Sequence, residues 1–336
     1  MIPHRPSALR RATLALATLL PALLLAASPV ASLAQDYPSK GRPVRILNPF
    51  PPGGTADLLS RNIAARLSKQ MGVPVLVENR PGASTMIAVK ELMNSNPDGH
   101  TILYTVTGTT SQLPHLYSKP PFDPFTDVTP LGLAAYNRLI LLANANAPFS
   151  SVKELIEYAK ANPAKVNYGS FGPGSFPHIL SEMLVRAAGI SMLHVPFKGG
   201  ADAGRALLSG EVQILFDAPV TAINAAKGGR VKMLAAASER RLALIKDVPT
   251  MAEAGLPGFD IPGLEQLLGP PGMAPALVTR VNAELVKAIR SPEVAEQYIT
   301  FGFDLVASSA EEHARIMRDN HNRWGEVIRR LGIKLD

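Results

Sequence analysis

One local plan recurs along this chain: a short β-prone run, a loop rich in glycine and proline, and then an amphipathic helix. The first copy joins residues 44–47 through the loop 48–55 to a helix with a stripe of apolar residues, Leu58, Leu59, Ile63 and Leu67. A second copy joins residues 165–168 through the loop 169–177 to another such helix, and weaker copies begin at Thr101 and Val212. Strands that alternate with helices predict an α/β fold, with parallel sheets covered by helices.

The N-terminus has the features of a secretory signal. Arg5, Arg10 and Arg11 precede an apolar run over residues 12–30, and the small residues of 31–34 follow. We expect cleavage after residue 34, because Pro21 and Pro29 interrupt the run and argue against a retained anchor. The paired arginines leave the choice between general secretion and twin-arginine export open. No later stretch is apolar enough to span a bilayer, so we expect a periplasmic protein.

Composition narrows the function classes. The 336 residues suggest two domains, and the chain contains no cysteine, which excludes disulfides, thiolate metal sites and cysteine nucleophiles. Without residues 1–34 the chain carries 31 basic and 27 acidic residues, a formal charge of +4. Its longest basic runs are two residues, as at Arg240 and Arg241, so we expect no nucleic-acid partner.

Two helix starts are signalled by capping boxes. Ser151 precedes Glu154 by three positions, and Ser309 precedes Glu312 in the same way. The helix that begins after Ser309 carries an apolar stripe, and we expect Trp324 on that stripe to anchor a hydrophobic core.

Standard catalytic and cofactor motifs are missing from the sequence. It has neither a P-loop nor a dinucleotide fingerprint, and its seven histidines are scattered, so we expect no cofactor and no metal. The segment 168–172 is similar to a nucleophile elbow around Ser170, but Tyr168 stands where a small glycine is needed. A secreted serine hydrolase that uses Ser170 is therefore the alternative to a protein with no catalytic residue.

The two best loops share a surplus of backbone N–H groups. Gly53, Gly54 and Thr55 lead into one helix, and Gly174 and Ser175 lead into another. Helix N-termini leave about four amide donors unpaired and carry partial positive charge, so each is suited to an anion. Because neither loop contains arginine or lysine, a carboxylate is favoured over a phosphate. The alternative is that these residues only form turns and caps.

Five motifs in fixed order give the chain a family resemblance. They are NPFPPGG at 48–54, VENRPGA at 77–83, PDGHT at 97–101, HVPFKGG at 194–200 and DVPTMAEAG at 247–255. Together they resemble those of the solute receptors of tripartite tricarboxylate transporters, the Bug family of periplasmic binding proteins. The similarity extends from about residue 37 to residue 333.

The resemblance implies a two-lobed periplasmic-binding-protein clamshell of type II, with the ligand in the cleft between the lobes. Lobe 1 would comprise residues 36–139 and 249–336, and lobe 2 residues 140–248. Such a protein captures a small carboxylate, namely a di- or tricarboxylate, an amino acid or an aromatic acid. Closure of the lobes then presents it to a membrane permease or a sensor kinase. We expect a monomer and no enzymatic activity.

Ligand-binding residues are carried over from the family position by position. They are Phe50, Pro52, Gly53, Gly54, Thr55, Asp57, Thr107, Thr109, Ser170, Gly174, Ser175, His178, Lys198, Asp217, Ala218 and Pro219. Four of them have structural alternatives: Phe50 as a core residue, Asp57 as a helix brace, His178 as a packed core residue and Lys198 as a solvated cation.

The chain departs from the family pattern at two places. Ser84, Thr85 and Met86 stand where relatives usually have two glycines and an asparagine, which makes that loop bulkier. Glu265 stands where an apolar wall is expected. We hypothesise that the Glu265 carboxylate faces the cleft and favours an acid that also carries an amino or amide group; the alternative is a surface glutamate on a shifted loop.

Overall fold

Two β-sheets organise residues 37–336, which are the residues that the computed structural model describes and which form one compact unit. The predicted signal over residues 1–34 lies outside them. The first sheet has the order β11-β4-β10-β3-β1-β2. Its strands are β1 (Val44–Asn48), β2 (Val75–Asn79), β3 (Thr101–Val106), β4 (Thr129–Asn137), β10 (Gly263–Gly269) and β11 (Asp304–Leu305). Strand β1 is parallel to β2 and β3, whereas β10 is antiparallel to β3 and β4.

The second sheet has the order β7-β6-β8-β5-β9. Its strands are β5 (Ile140–Asn144), β6 (Asn167–Ser170), β7 (Leu193–Pro196), β8 (Ile214–Asp217) and β9 (Val231–Ala236). Strand β6 is parallel to β7 and β8, and β5 is antiparallel to β8 and β9. Each sheet thus combines a parallel part, as the repeated strand–loop–helix plan predicts, with antiparallel strands that the repeat does not encode.

Nine α-helices are distributed between the strands of the described region. They are α1 (Thr55–Met71), α2 (Met86–Met93), α3 (Val152–Ala161), α4 (Phe176–Ala188), α5 (Gly200–Ser209), α6 (Pro219–Lys227), α7 (Pro275–Ile289), α8 (Pro292–Thr300) and α9 (Ala310–Leu331). Within residues 37–336, no helix combines the length and the apolar character needed to cross a membrane. The α/β class expected from the sequence is confirmed.

The chain passes from one sheet to the other twice. Strand β4 ends at Asn137 in the first sheet, and β5 begins at Ile140 in the second. The return lies between β9 and β10. The lobe boundaries that the family resemblance implies stay a prediction.

The C-terminal helix α9 packs against both sheets. Near its start, His313 Nδ1 accepts a hydrogen bond from the Gly132 N–H of the first sheet at 3.1 Å. Nearer its end, Trp324 and Ile328 belong to the apolar cluster that also contains Phe176 of α4 and Phe216 of the second sheet. Trp324 is fully buried and meets Phe176 edge-on at 5.5 Å, so its predicted core role is confirmed.

Local signals for helix starts are confirmed at atomic detail. The Ser151 hydroxyl accepts from the Glu154 N–H at 3.2 Å, and the Ser309 hydroxyl accepts from the Glu312 N–H at 3.0 Å. The apolar stripe of α1 is only partly as predicted. Its other apolar members are fully buried, but Leu58 is 44% exposed because it lies one position off the buried face.

Candidate functional site

A cavity of about 350 Å³ lies between the two sheets. Residues 49–51, 54–56 and 82–85 line it from the first-sheet side, and residues 171–177, 197–202 and 217–218 line it from the second. The strands of both sheets end at these loops, where ligands bind in open α/β sheets. Five phenylalanines make the lining mostly apolar: Phe50, Phe171, Phe176, Phe197 and Phe303.

Four helices of nine or more residues begin at this cavity, and no side chain caps any of them. Their N-cap residues are Gly54 for α1, Ser175 for α4, Gly199 for α5 and Ala218 for α6. Of the helices that begin away from the cavity lining, α3 and α9 have serine caps, whereas α7 and α8 also lack a side-chain cap. Pro177 and Pro219 supply no N–H, but the other first-turn amides of the four helices are left to a ligand or to solvent. Their partial charges make the cavity favourable for an anion.

The first loop is held by side chains behind it. Asn48 Oδ1 accepts from the Phe50 N–H at 2.9 Å, and Asn79 Nδ2 donates to the Phe50 carbonyl at 2.9 Å. Gly53 has φ +89°, a left-handed conformation that favours glycine. These contacts fix the direction in which α1 begins.

Asp57 is a brace for this loop rather than part of the cavity lining. Its carboxylate accepts from the Gly53 N–H and from Arg61 Nε at 3.0 Å each, and from Asn79 Nδ2 at 2.8 Å. Burial alone would raise the pKa of Asp57, but the hydrogen bonds from Arg61, Gly53 and Asn79 outweigh it and lower the pKa. The carboxylate is thus ionised and fully occupied within the protein.

The second loop is supported from behind by His178. Its Nδ1 accepts from the Gly174 N–H at 3.0 Å, and its ring stacks on His194 at 4.1 Å between centroids. Burial lowers the pKa of His178 to about 4, so the ring is neutral and able to accept this bond at neutral pH. The Ser175 hydroxyl donates to the Gly172 carbonyl at 2.7 Å and tightens the same turn.

Ser170 has a histidine neighbour but no access to the cavity. Its hydroxyl lies 2.6 Å from His194 Nε2 and also accepts from the Gly172 N–H. Ser170 is fully buried and is not among the cavity-lining residues. Within residues 37–336, no carboxylate forms a hydrogen bond to His194, so the third group of a catalytic triad is missing there.

The loop that contains Ala83, Ser84 and Thr85 reaches the cavity in an unusual conformation. All three residues have positive φ, at 45°, 49° and 82°. Such conformations cost about 1 kcal/mol or more each in non-glycine residues and are typical of ligand-contact segments. Thr85 is held by Thr109, whose hydroxyl donates to it at 3.1 Å.

Two buried acids complete the lining. Glu265 Oε2 accepts from the Tyr104 hydroxyl at 2.7 Å, and Oε1 accepts from Asn137 Nδ2 at 2.5 Å. Asp217 Oδ1 accepts from the Ala218 N–H at 2.7 Å, whereas its Oδ2 is buried without a partner. Burial raises the pKa of each to about 7, against the smaller opposing effect of these hydrogen bonds.

The structure sorts the residues predicted from the sequence into two groups. Those that line the cavity are Phe50, Gly54, Thr55, Gly174, Ser175, Lys198, Asp217, Ala218 and Glu265. Those that lie outside the lining are Pro52, Gly53, Asp57, Thr107, Thr109, Ser170, His178 and Pro219. Several of the second group support the loops instead; Thr107, for example, accepts a hydrogen bond from the Leu264 N–H. Ligand contact by any of these residues stays a prediction.

Sequence reasoning missed part of the lining. The missed residues include Asn137, Leu139, Phe171, Phe176, Phe197 and Phe303. Phe171, Phe176 and Phe197 lie in motifs that were singled out for their glycines, and their aromatic character was the available signal. Asn137, Leu139 and Phe303 reach the cavity only through tertiary folding. In the described part of the chain, no three His, Asp or Glu side chains are grouped so that they could hold a metal.

Comparison with known proteins gives a consistent family match. The family model described as "Tripartite tricarboxylate transporter family receptor" matches residues 59–333. BugT of Bordetella pertussis is 30% identical over 314 residues, which cover 92% of this chain and 94% of BugT.

Solved structures agree with the sequence match. The R. palustris protein Rpa4515 with adipate has a TM-score of 0.84 and 30% identity, over 89% of this chain and 99% of that one. MatC from Rhodopseudomonas palustris with bound malate has a TM-score of 0.82 and 29% identity, over 86% of this chain and 100% of that one. The two-lobed binding-protein architecture expected from the sequence is therefore confirmed.

Proposed function

The chain belongs to the tripartite tricarboxylate transporter receptor family, and from that premise we propose that it is an extracytoplasmic receptor for a small carboxylate. The relatives with adipate and with malate support this ligand class. The signal over residues 1–34 supports export, and the periplasm is the proposed location.

The single observation that carries the proposal is the convergence of four uncapped helix N-termini on one cavity. Helices α4, α5 and α6 begin on the second-sheet side, and α1 begins on the first. Lys198 is the one arginine or lysine among the lining residues of the described region, and it is exposed. Neutral amide donors around an apolar cavity suit reversible capture of a carboxylate.

Capture and release require the two lobes to move relative to each other. The proposed lobes are residues 36–139 with 249–336, and residues 140–248. A ligand that contacts both lobes only when they are closed shifts the population toward the closed form. The closed form is then recognised by a tripartite tricarboxylate-type permease, or by a sensor kinase, and no bond is made or broken in the ligand.

The experiment is a thermal-shift and calorimetric screen of the mature protein against butyrate, succinate, malate, adipate, citrate, glutamate and benzoate. A carboxylate at 100 times its Kd should stabilise the protein by about 2.7 kcal/mol. Mass spectrometry of the recovered ligand should show it intact. Neutral amides of the same acids serve as controls, since they lack the charge that the helix N-termini favour. Absence of stabilisation by every acid would overturn the proposal, and turnover of ester substrates lost in Ser170→Ala would support the hydrolase instead.

A further inference from the structure

The two buried acids flank the segment that crosses between the sheets. Asp217 lies opposite Ile140 in the antiparallel β5–β8 pair. Glu265 is hydrogen-bonded to Asn137, at the end of β4. Asn137 and Ile140 are three residues apart, a span of about 10 Å of extended chain. Asp217 and Glu265 thus line one cavity from different sheets, and we call this part of its lining the cavity floor.

Neither acid has a cationic partner in the described region. Both partners of Glu265 are neutral, a phenol and an amide, and the Tyr104 phenol is itself linked to the Tyr298 hydroxyl at 3.1 Å. Asp217 has only a backbone N–H, on one of its two oxygens. The side chains of both acids are at least 96% buried. A carboxylate is costly to bury without a countercharge. The cavity floor is therefore suited to bind a positively charged group of a ligand.

Other acids near the cavity are already paired. Asp202 forms an ion pair with Arg205, and Asp57 forms one with Arg61. Asp217, which has an unpaired oxygen, and Glu265, which has no cationic partner in the described region, thus differ from Asp202 and Asp57. The difference indicates a ligand group rather than general surface acidity.

We infer that the ligand carries a protonated nitrogen as well as a carboxylate, so that this receptor takes an amino-bearing carboxylic acid. The ammonium is bound on the cavity floor, where Asp217 and Glu265 have no cationic partner in the described region, while the carboxylate is held by the helix N-termini. This inference rests on the proposed function and narrows its ligand class. A primary ammonium is favoured over a quaternary one because only N–H groups can satisfy the unpaired Asp217 oxygen.

The test uses pairs of acids that differ by one amino group. The pairs are 4-aminobutyrate with butyrate, 5-aminovalerate with valerate, and glutamate with glutarate, measured by isothermal titration calorimetry on the mature protein. In at least one pair the amino acid should bind 10-fold or more tightly than its partner. Asp217→Asn and Glu265→Gln should each reduce that ratio to below about 3-fold, since a charged hydrogen bond contributes roughly 1.5–3 kcal/mol.

Glu182→Gln is the matched control variant. Glu182 accepts a hydrogen bond from the Tyr168 hydroxyl, as Glu265 does from Tyr104, but it does not line the cavity. This variant should keep the ratio of the wild-type protein. Circular dichroism and the Tm of each variant show whether it is folded. If the Asn and Gln variants do not fold, the inference is decided by the affinity ratios of the acid pairs for the wild-type protein.

The outcomes separate this inference from the function on which it rests. If neither the acids of these pairs nor those of the thermal-shift screen bind, the receptor proposal fails. If acids bind but their amino partners bind no more tightly, the inference is overturned and the receptor proposal stands. Tighter binding of the N-trimethylated 4-aminobutyrate than of 4-aminobutyrate would also overturn it, because the phenylalanine faces would then account for cation recognition instead of the two acids.

Discussion

The Ser84 hydroxyl donates to the Pro173 carbonyl at 2.9 Å and so joins the two sides of the cavity directly. Ser84 follows β2 of the first sheet, and Pro173 follows β6 of the second. Ser84 makes this bond from a left-handed backbone conformation, with φ 49°. An unfavourable backbone geometry is thus retained at the point where the two halves of the molecule meet.

Replacement of Ser84 should weaken ligand binding modestly. Ser84→Ala removes the bond and should raise the Kd of a bound carboxylate two- to five-fold, because an exposed hydrogen bond contributes about 0.5–1 kcal/mol. Ser84→Gly removes the same bond but relieves the left-handed strain, so it should stabilise the protein by about 1 kcal/mol relative to Ser84→Ala. Calorimetry and urea unfolding measure the two effects, and an unchanged Kd in both variants would show that the bond is not coupled to binding.

The amide donors of α1 can be tested by removing one. Thr55 is the first residue of α1, where proline is well accepted, and Gly54 before it has φ −81° and ψ 170°, as a residue before proline prefers. Thr55→Pro deletes the backbone N–H and should raise the carboxylate Kd about 10-fold with little change in Tm. Thr55→Ala keeps the N–H and loses only the hydroxyl, so its effect should be smaller. Equal losses in the two variants would assign the contact to the side chain.

The stability of the ligand-free protein should depend on pH through Glu265. Burial raises its pKa to about 7 in the folded protein, so between pH 4.5 and 7 the unfolded chain loses its proton first and stability falls as the pH rises. Glu265→Gln removes this loss. The free energy of unfolding of the variant, measured relative to the wild type, should therefore rise by on the order of 3 kcal/mol between pH 4 and pH 8. Urea unfolding of both proteins at both pH values measures this change. The buried histidines are the same in the two proteins, so their effect cancels in the comparison. A difference in unfolding free energy that does not change with pH would contradict the raised pKa.

The second loop depends on a glycine that no other residue can replace cheaply. Gly174 has φ +74°, and a Cβ there would lie 2.5 Å from Leu116 Cδ1. Gly174→Ala should cost about 2–3 kcal/mol of unfolding free energy and weaken carboxylate binding. Gly189→Ala is the control, since φ is +61° there but nothing lies within 4 Å of the added carbon. It should cost about 1 kcal/mol and leave binding unchanged. If the two variants lost the same unfolding free energy, the second loop would have moved to accommodate the added Cβ, contrary to the prediction.

Features that depend on local sequence were predictable. The serine caps at Ser151 and Ser309 join a hydroxyl to the N–H group three positions later, so they depend only on neighbouring residues. The burial of Trp324 follows from the periodicity of one helix. The helix N-termini at Gly54 and Ser175 were also found, because a glycine-rich loop before an amphipathic stripe is a local pattern.

Features that depend on distant pairing were not predictable. Asn137 reaches Glu265 across 128 positions of sequence, and only the β4–β10 pairing brings them together. The brace formed by Asp57 needs Asn79 of the neighbouring strand, so the sequence could not decide between a ligand contact and a structural role. The direction of the His178 ring likewise depends on its stacking with His194.

Helix α9 has 22 residues and contacts both halves of the molecule. Its start is tied to Gly132 and its end is packed through Trp324 against Phe176. If the two halves swing relative to each other, the contacts of one end must slide or tilt while those of the other stay fixed. The C-terminal helix would then be the pivot of that movement, and side chains outside the cavity lining, such as Trp324, would help set how far the cleft of the receptor can open.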